Sequence, residues 1–342
     1  MLTVLDHVPR SLLETDPHQL HRVLASPTLM HLPGHRPEPL FVSVLLHGNE
    51  DTSYRAIQMV LAKYGGRTLP RALSVFFGNI AAARARMRRL PAQPDFNRIW
   101  PGAEENSLPE HAMARAVVAG MRERRVFAAI DIHNNTGLNP HYACVNRMEQ
   151  PFLHFARLFS RTIVFFERPL GVVSAAFGEI CPSVAIECGP PGNPASEAQA
   201  AEFIEAALHL SAFPAHPVAA HDVDLYHTIG VVTVPEHVTI GYGHSEAAVR
   251  FDDSIDHLNF CELAAGTRLA QAPGAQSVPL VVTDDAGRAV TEDYLALRGG
   301  EIVTARAVMP AMLTRDERVI RQDCLCYFME RLPYPGSAAT SA

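Results

Sequence analysis

The sequence predicts an α/β fold that is followed by a smaller β-rich region. Short, fully apolar runs alternate with helix-like stretches as far as about residue 213, and β-rich runs replace them beyond that point. Strands that are apolar on both faces are typical of a sheet that helices cover on both sides. We therefore expect a catalytic domain at 1–213, an all-β domain at 214–332 and a disordered tail at 333–342.

The first half of the chain contains the alternating elements. Residues 39–46 form a continuous apolar run that is too short for a helix, which predicts a strand. Helical periodicity then begins after a polar cap at residues 51–53 and stops at a glycine pair, which predicts a helix at 54–64. By the same criteria we expect strands at 72–77, 126–132, 162–166 and 183–186, helices at 109–124, 151–160 and 195–210, and a basic, proline-broken loop at 84–97.

The second half has a different character. Short runs rich in β-branched residues are separated by turn dipeptides such as Gly299-Gly300. These runs predict strands at 231–234, 278–282, 302–307 and 324–328.

Charge and composition exclude several classes of partner. The chain has 29 basic and 36 acidic residues, and a net charge of −7 disfavours nucleic acid and anionic membranes. No apolar stretch approaches the roughly 20 residues that a membrane span needs. The six cysteines form no Cys-x-x-Cys pair, which favours free thiols and a cytoplasmic location. Contacts of the β-rich region could also produce a homo-oligomer.

Two of the predicted strands end in residues that bind metals. The strand at 39–46 leads into His47, Gly48, Asn49 and Glu50, and the strand at 126–132 leads into His133. Two imidazoles and one carboxylate form the set of three protein ligands that a catalytic zinc ion uses while its fourth position stays open. We therefore predict that His47, Glu50 and His133 bind one Zn²⁺ ion.

Acidic residues near these strand ends are candidates for further roles. Glu187 follows the strand at 183–186, and its burial between Ile186 and Cys188 would be unfavourable without a nearby group that stabilises the charge. A metal site would supply that group, so we predict a general base at Glu187. Asp131 points to the opposite face of its strand from Ile132, and we do not count it among the site residues.

The basic loop supplies candidates for binding a carboxylate. Arg88, Asn97 and Arg98 are the ones of interest, because a substrate carboxylate is well held by a bidentate arginine. The spacing leaves open whether Arg88 or Arg89 faces the site.

Four ordered segments, LLHGNE, GNIAAARARMRR with DFNRIW, DIHNNTG and AIECGP, resemble the succinylglutamate desuccinylase/aspartoacylase family of zinc carboxypeptidase-like (M14) hydrolases. The resemblance implies an α/β/α sandwich around a mixed sheet, followed by a β-rich domain. It implies His47, Glu50 and His133 as zinc ligands, Glu187 as general base, Arg88 at the carbonyl oxygen, and Asn97 with Arg98 at the substrate carboxylate. Aspartoacylases also have a substrate arginine about ten residues before the catalytic glutamate, where this chain has Phe177.

We accordingly expect hydrolysis of the amide bond of a small carboxylate-bearing substrate, as in an N-acyl amino acid deacylase. Two alternatives stay open at this point. One is a metallocarboxypeptidase that acts on short peptides, and the other is a metal-binding or interaction protein without catalysis.

Overall fold

The computed structural model describes residues 2–334, which form two compact units. The first unit contains residues 2–134, His141–Asp224 and 334, and the second contains Asn135–Pro140 and Leu225–Pro333. The domain assignment made from sequence, with its boundary at 214, stays a prediction. Most of the predicted disordered tail, residues 335–342, lies outside the described residues.

The first unit contains eight neighbouring strands of a mixed sheet: β1 (Thr3–Leu5), β2 (Thr28–Leu32), β3 (Gly34–Val44), β4 (Leu69–Phe77), β5 (Ala128–His133), β6 (Tyr142–Val145), β7 (Thr162–Phe165) and β8 (Ser183–Glu187). Their spatial order is β1-β2-β4-β3-β5-β8-β6-β7. Strands β4, β3, β5 and β8 are mutually parallel, while β2 and β6 pair antiparallel with β4 and β8.

Helices cover both faces of this sheet. Successive residues of a strand point to opposite faces, so Phe76 and Phe77 of β4 mark the two sides. Phe77 contacts Tyr54 of a helix on one side, whereas Phe76 packs with Trp100 on the other. The helices are α1 (Thr52–Tyr64), α2 (Ile80–Ala85), α3 (Pro109–Glu123), α4 (Gln150–Phe159), α5 (Val173–Gly178) and α6 (Pro194–His209).

An aromatic core holds α3 and α5 against the sheet. Phe177 of α5 stacks on Phe41 of β3 with ring centroids 4.1 Å apart, and Trp100 lies 6.0 Å from Phe177. The indole Nε1–H of Trp100 donates to the carbonyl of Phe96, so the buried ring leaves no unsatisfied donor. Phe177 is therefore a core residue.

The second unit contains the short helices α7 (Thr291–Tyr294) and α8 (Glu317–Gln322) and nine strands: β9 (Asp224–Thr233), β10 (Ile240–Tyr242), β11 (Val249–Phe251), β12 (Arg268–Gln271), β13 (Val281–Thr283), β14 (Leu295–Arg298), β15 (Glu301–Thr304), β16 (Met309–Ala311) and β17 (Cys326–Arg331). Four of these strands pair antiparallel in the order β13-β9-β17-β16, and the other five form a separate sheet in the order β10-β11-β12-β15-β14. A cluster of buried aliphatic and aromatic side chains that includes Val282, Ile302 and Phe328 fills its core.

The predicted fold class is confirmed: a helix-covered mixed sheet is accompanied by a separate, smaller β sheet. Several short elements of the first unit were not predicted, namely β1, β2, β6, α2 and α5, and the strands β10, β11, β12, β14 and β16 of the second unit were not predicted either. The second region also includes the short helices α7 and α8 and is not purely β. Among residues 2–334, none of the helices combines the length and the apolar character that crossing a membrane requires.

Candidate metal centre

Parallel pairing brings four of the predicted site residues to one edge of the sheet. The strands β3, β5 and β8 are adjacent and parallel, so their carboxyl ends lie together. His133, the last residue of β5, is the direct register partner of Glu187, the last residue of β8. The chain leaving β3 at the same edge carries His47 and Glu50.

A tight backbone turn places His47 and Glu50. Leu45 has a φ of 54°, a left-handed conformation that is unfavourable for a bulky residue and persists only where the surroundings hold it. Its amide donates to Ser53 Oγ at 3.0 Å, and Ser53 Oγ donates to the carbonyl of Glu50. Gly48 lies directly against the backbone of α2, where a Cβ would be 2.1 Å from a backbone atom of Ala82. The turn therefore requires glycine at 48.

His47, Glu50 and His133 form one buried cluster. Nδ1 of His47 lies 2.7 Å from Glu50 Oε1, and Nδ1 of His133 lies 2.9 Å from Glu50 Oε2. The two imidazole rings are 5.1 Å apart. One potential ligand atom from each residue falls within 4.8 Å of the other two.

The second nitrogen of each imidazole is held by a carboxylate. His47 Nε2 lies 3.0 Å from Asp95 Oδ1, and His133 Nε2 lies 2.8 Å from Asp131 Oδ2. Histidines that bind metals usually donate their other N–H to such an acceptor, which orients the ring. The donor set, its burial and these outer carboxylates all fit a divalent metal ion.

Charged neighbours strongly lower the pKa values of two carboxylates, Glu50 in the cluster and Asp95 beside it. Burial alone would raise the pKa of Glu50, but the neighbouring His47 and His133 lower that pKa far below its usual value. Burial likewise opposes the charged form of Asp95, yet Arg88 and His47 bring the pKa of Asp95 well below normal. Both carboxylates are therefore ionised. Glu50 needs that charge to bind a metal, and Asp95 needs it to hold the His47 ring.

Asp131 contacts the cluster, although it is not among the predicted site residues. Its side chain is fully buried and contacts His133 directly. Residues two apart on a strand point to the same face, so Asp131 necessarily shares the face of His133. Asp131 and His133 both point to the face opposite Ile132. Asp95 was also missed as an acceptor, although it lies in the quoted DFNRIW segment.

Of the two candidate arginines, Arg88 reaches the cluster. Its Nε and Nη2 contact Asp95 Oδ2 at 3.1 and 3.0 Å, and its Nη1 lies 3.8 Å from Glu50 Oε1. Arg89 instead donates to the carbonyl of Gln93. The structure thus places a buried cation beside the candidate metal ligands.

Asn97 contacts the cluster, and Arg98 is its neighbour in sequence. The Oδ1 atom of Asn97 accepts a bond from the amide of Val173 at 3.1 Å, and its Nδ2 lies 3.0 Å from His133 Nε2. Arg98 is half-buried and donates through Nη1 to the carbonyl of Asn97. Their predicted contact with a substrate carboxylate stays a prediction.

Residues 39–213 match the sequence profile of the succinylglutamate desuccinylase/aspartoacylase catalytic domain. That match spans more than half of the chain. The chain belongs to this family. The aligned segment contains every predicted site residue, from His47 to Glu187.

Solved structures of similar proteins share the fold. Succinylglutamate desuccinylase from Chromobacterium violaceum has a TM-score of 0.56 at 15% identity, over 87% of this chain and 86% of that one. Murine aminoacylase 3 has a TM-score of 0.57 at 14% identity, over 87% of this chain and 96% of that one. No curated protein sequence matches the chain.

Proposed function

We propose that this chain is a zinc-dependent hydrolase that cleaves the amide bond of a small carboxylate-bearing substrate, most simply an N-acyl amino acid. The observation that carries the proposal is the buried His47–Glu50–His133 cluster in which each imidazole has its own outer carboxylate. Membership in a family of amide-cleaving deacylases supports the reaction class.

His47, Glu50 and His133 would hold the metal. A zinc ion bound there would act as a Lewis acid toward the scissile carbonyl and would make water a better nucleophile at neutral pH. Three protein ligands leave a coordination position open, which is the pattern of catalytic and not of structural zinc sites. This ligand count argues against a metal-binding protein without catalysis.

Glu187 would transfer the proton. It is buried at the end of β8, in register with His133, and is thus placed beside the proposed ligands. In this role it accepts a proton from the attacking water and returns it to the leaving amine, for which general acid–base catalysis typically contributes about 10²–10⁴-fold.

Two arginines would bind the negative charges of the substrate. Arg88 has its cation fixed by Asp95 and is directed toward Glu50, where it would stabilise the oxyanion that develops on the carbonyl. Arg98 would hold the free carboxylate, with Asn97 as its predicted partner, and would orient the amide for attack.

Metal analysis and a substrate screen test the proposal. Purified protein should contain close to one zinc per chain by elemental mass spectrometry, and a chelator should abolish hydrolysis until zinc is restored. N-acetyl and N-succinyl amino acids should be tested beside dipeptides with a free C-terminus. Turnover of the peptides alone would favour the carboxypeptidase, and no turnover of any amide by the zinc-loaded chain would contradict the proposed reaction.

A Glu187→Gln variant isolates the proton-transfer role. We expect kcat to fall by about 10²–10⁴-fold with the zinc content unchanged. Glu179→Gln is the matched control, because Glu179 forms an exposed ion pair with Arg147 and should leave kcat unaffected. Hydrolysis at the wild-type rate in Glu187→Gln would remove Glu187 from the mechanism.

A further inference from the structure

The Nε2 atom of His133 has two close neighbours whose requirements conflict. Asp131 Oδ2, an acceptor, lies 2.8 Å away, and Asn97 Nδ2, a donor, lies 3.0 Å away. A ring nitrogen either carries a proton that it donates or offers a lone pair that accepts. Only one of the two contacts can therefore be a hydrogen bond at a time.

Neither Asp131 nor Asn97 can remove the conflict by rotating its side chain, because each is held by another hydrogen bond. Asp131 Oδ1 accepts a bond from Ser43 Oγ on β3, and the two residues are register partners across the strands. Asn97 Oδ1 accepts from the amide of Val173 at the start of α5, so the NH₂ end must face His133. Each group is held by an independent element of the fold.

The partner that Nε2 bonds, Asp131 or Asn97, determines whether Nδ1 of His133 can bind a metal. If Nε2 donates to Asp131, the neutral ring has a lone pair on Nδ1, which lies 2.9 Å from Glu50 and belongs to the proposed metal cluster. If Nε2 accepts from Asn97, Nδ1 carries the proton and donates it to Glu50. The second form cannot bind a metal ion through Nδ1.

We propose that the Ser43–Asp131 pair selects the metal-binding tautomer of His133 against the opposing preference of Asn97. A hydrogen bond to a carboxylate is roughly twice as strong as one between neutral groups, so Asp131 prevails over the amide. Asp131 is a positioning residue that acts through His133. This inference deepens the proposed function and rests on it, because it presumes that His133 is a ligand.

Zinc affinity of a set of variants tests the inference without any measurement of activity. The dissociation constant is measured by competition with a fluorescent zinc chelator. Asp131→Ala should weaken binding by about 10–100-fold. Adding Asn97→Ala to that variant should recover part of the loss, because the group that favours the wrong tautomer is then gone. A purely structural role for both residues would make the double variant weaker than the single one.

Three further variants control for misfolding and non-specific effects. Asp131→Asn keeps the shape of the side chain and should also weaken binding, by less than Asp131→Ala, because a neutral amide is the weaker acceptor. Ser43→Ala should weaken binding by about tenfold or less. Ser183→Ala is its matched control: Ser183 is buried in the same sheet, and its Oγ has no hydrogen-bond partner among residues 2–334. It should bind zinc as the wild type does.

The results separate this inference from the proposed function. A wild-type chain that does not bind zinc would refute the metal function itself. Wild-type binding, with unchanged affinity in folded Asp131→Ala and Asp131→Asn, would refute only the role of Asp131. A double variant that binds more weakly than Asp131→Ala would refute the opposing role of Asn97. Imidazole ¹⁵N chemical shifts of the zinc-bound protein should show a protonated Nε2 at His133, and a bare Nε2 would overturn the inference.

Discussion

Replacing Gly48 by alanine should disrupt the metal centre through the backbone. A Cβ at this position would lie 2.1 Å from Ala82 C and 2.1 Å from Ala83 N, both backbone atoms of α2. Ordinary carbon contacts begin near 3.5 Å, so the turn and α2 must separate by more than about 1 Å. No flexible side chain is available to yield, because backbone meets backbone.

The magnitude follows from that displacement. Overpacking a tight site typically costs about 1–3 kcal/mol, and we expect Gly48→Ala to reach or exceed the upper end. Because Gly48 lies between His47 and Glu50, the same shift moves two proposed ligands. A misplacement of about 1 Å can lower a rate about 100-fold, and zinc affinity should fall as well.

Gly120→Ala is the matched control for this substitution. Gly120 lies inside α3, and nothing lies within 4 Å of the place where its Cβ would be. Alanine favours a helix over glycine by about 1 kcal/mol, so this variant should be slightly more stable. Denaturant unfolding and zinc competition measure both variants. Wild-type stability and zinc affinity in Gly48→Ala would refute the reasoning.

Three further outcomes are expected. Phe177→Ala should lower the free energy of unfolding by about 3–5 kcal/mol, measured by denaturant titration, because it leaves a cavity against Phe41. His31 is half-buried, and burial together with Arg124 lowers its pKa to about 4. Its contribution to stability should therefore be complete above pH 6.5 and decline as the pH falls from 6.5 toward 4, since the unfolded chain binds the proton first. His31→Gln should flatten the measured slope of stability against pH in that window, and an unchanged slope would contradict the assignment. Removing zinc with a chelator should lower the melting temperature, because a ligand of the native state at 100 times its Kd stabilises that state by about 2.7 kcal/mol. An identical melting temperature with and without zinc would speak against a native metal site.

Much of the candidate site could be predicted because its determinants are local in sequence. An apolar run followed by a metal-binding side chain identifies a strand and its end, and parallel strands place such ends at one edge. These local signals select His47, Glu50, His133 and Glu187. The structure brings the four residues together at the edge formed by β3, β5 and β8.

The contacts around those residues depended on the tertiary structure. The prediction could not choose between Arg88 and Arg89, because the direction of a side chain in an irregular loop depends on what the loop packs against. The carboxylates Asp95 and Asp131 became visible as partners only once the imidazoles had a position and an orientation. The short strand β6, inserted antiparallel between β8 and β7, was not predicted either.

Hydrophobic pattern and side-chain chemistry are properties of a few neighbouring residues. They were therefore enough to predict the α/β class, the strand ends and the residues that can bind a metal. Only the folded chain determined strand order, the close approach of Gly48 to α2, and which donor and acceptor meet at His133 Nε2. Those features join groups that lie tens of residues apart in the sequence. Packing, and not local backbone preference, sets the distances between those groups.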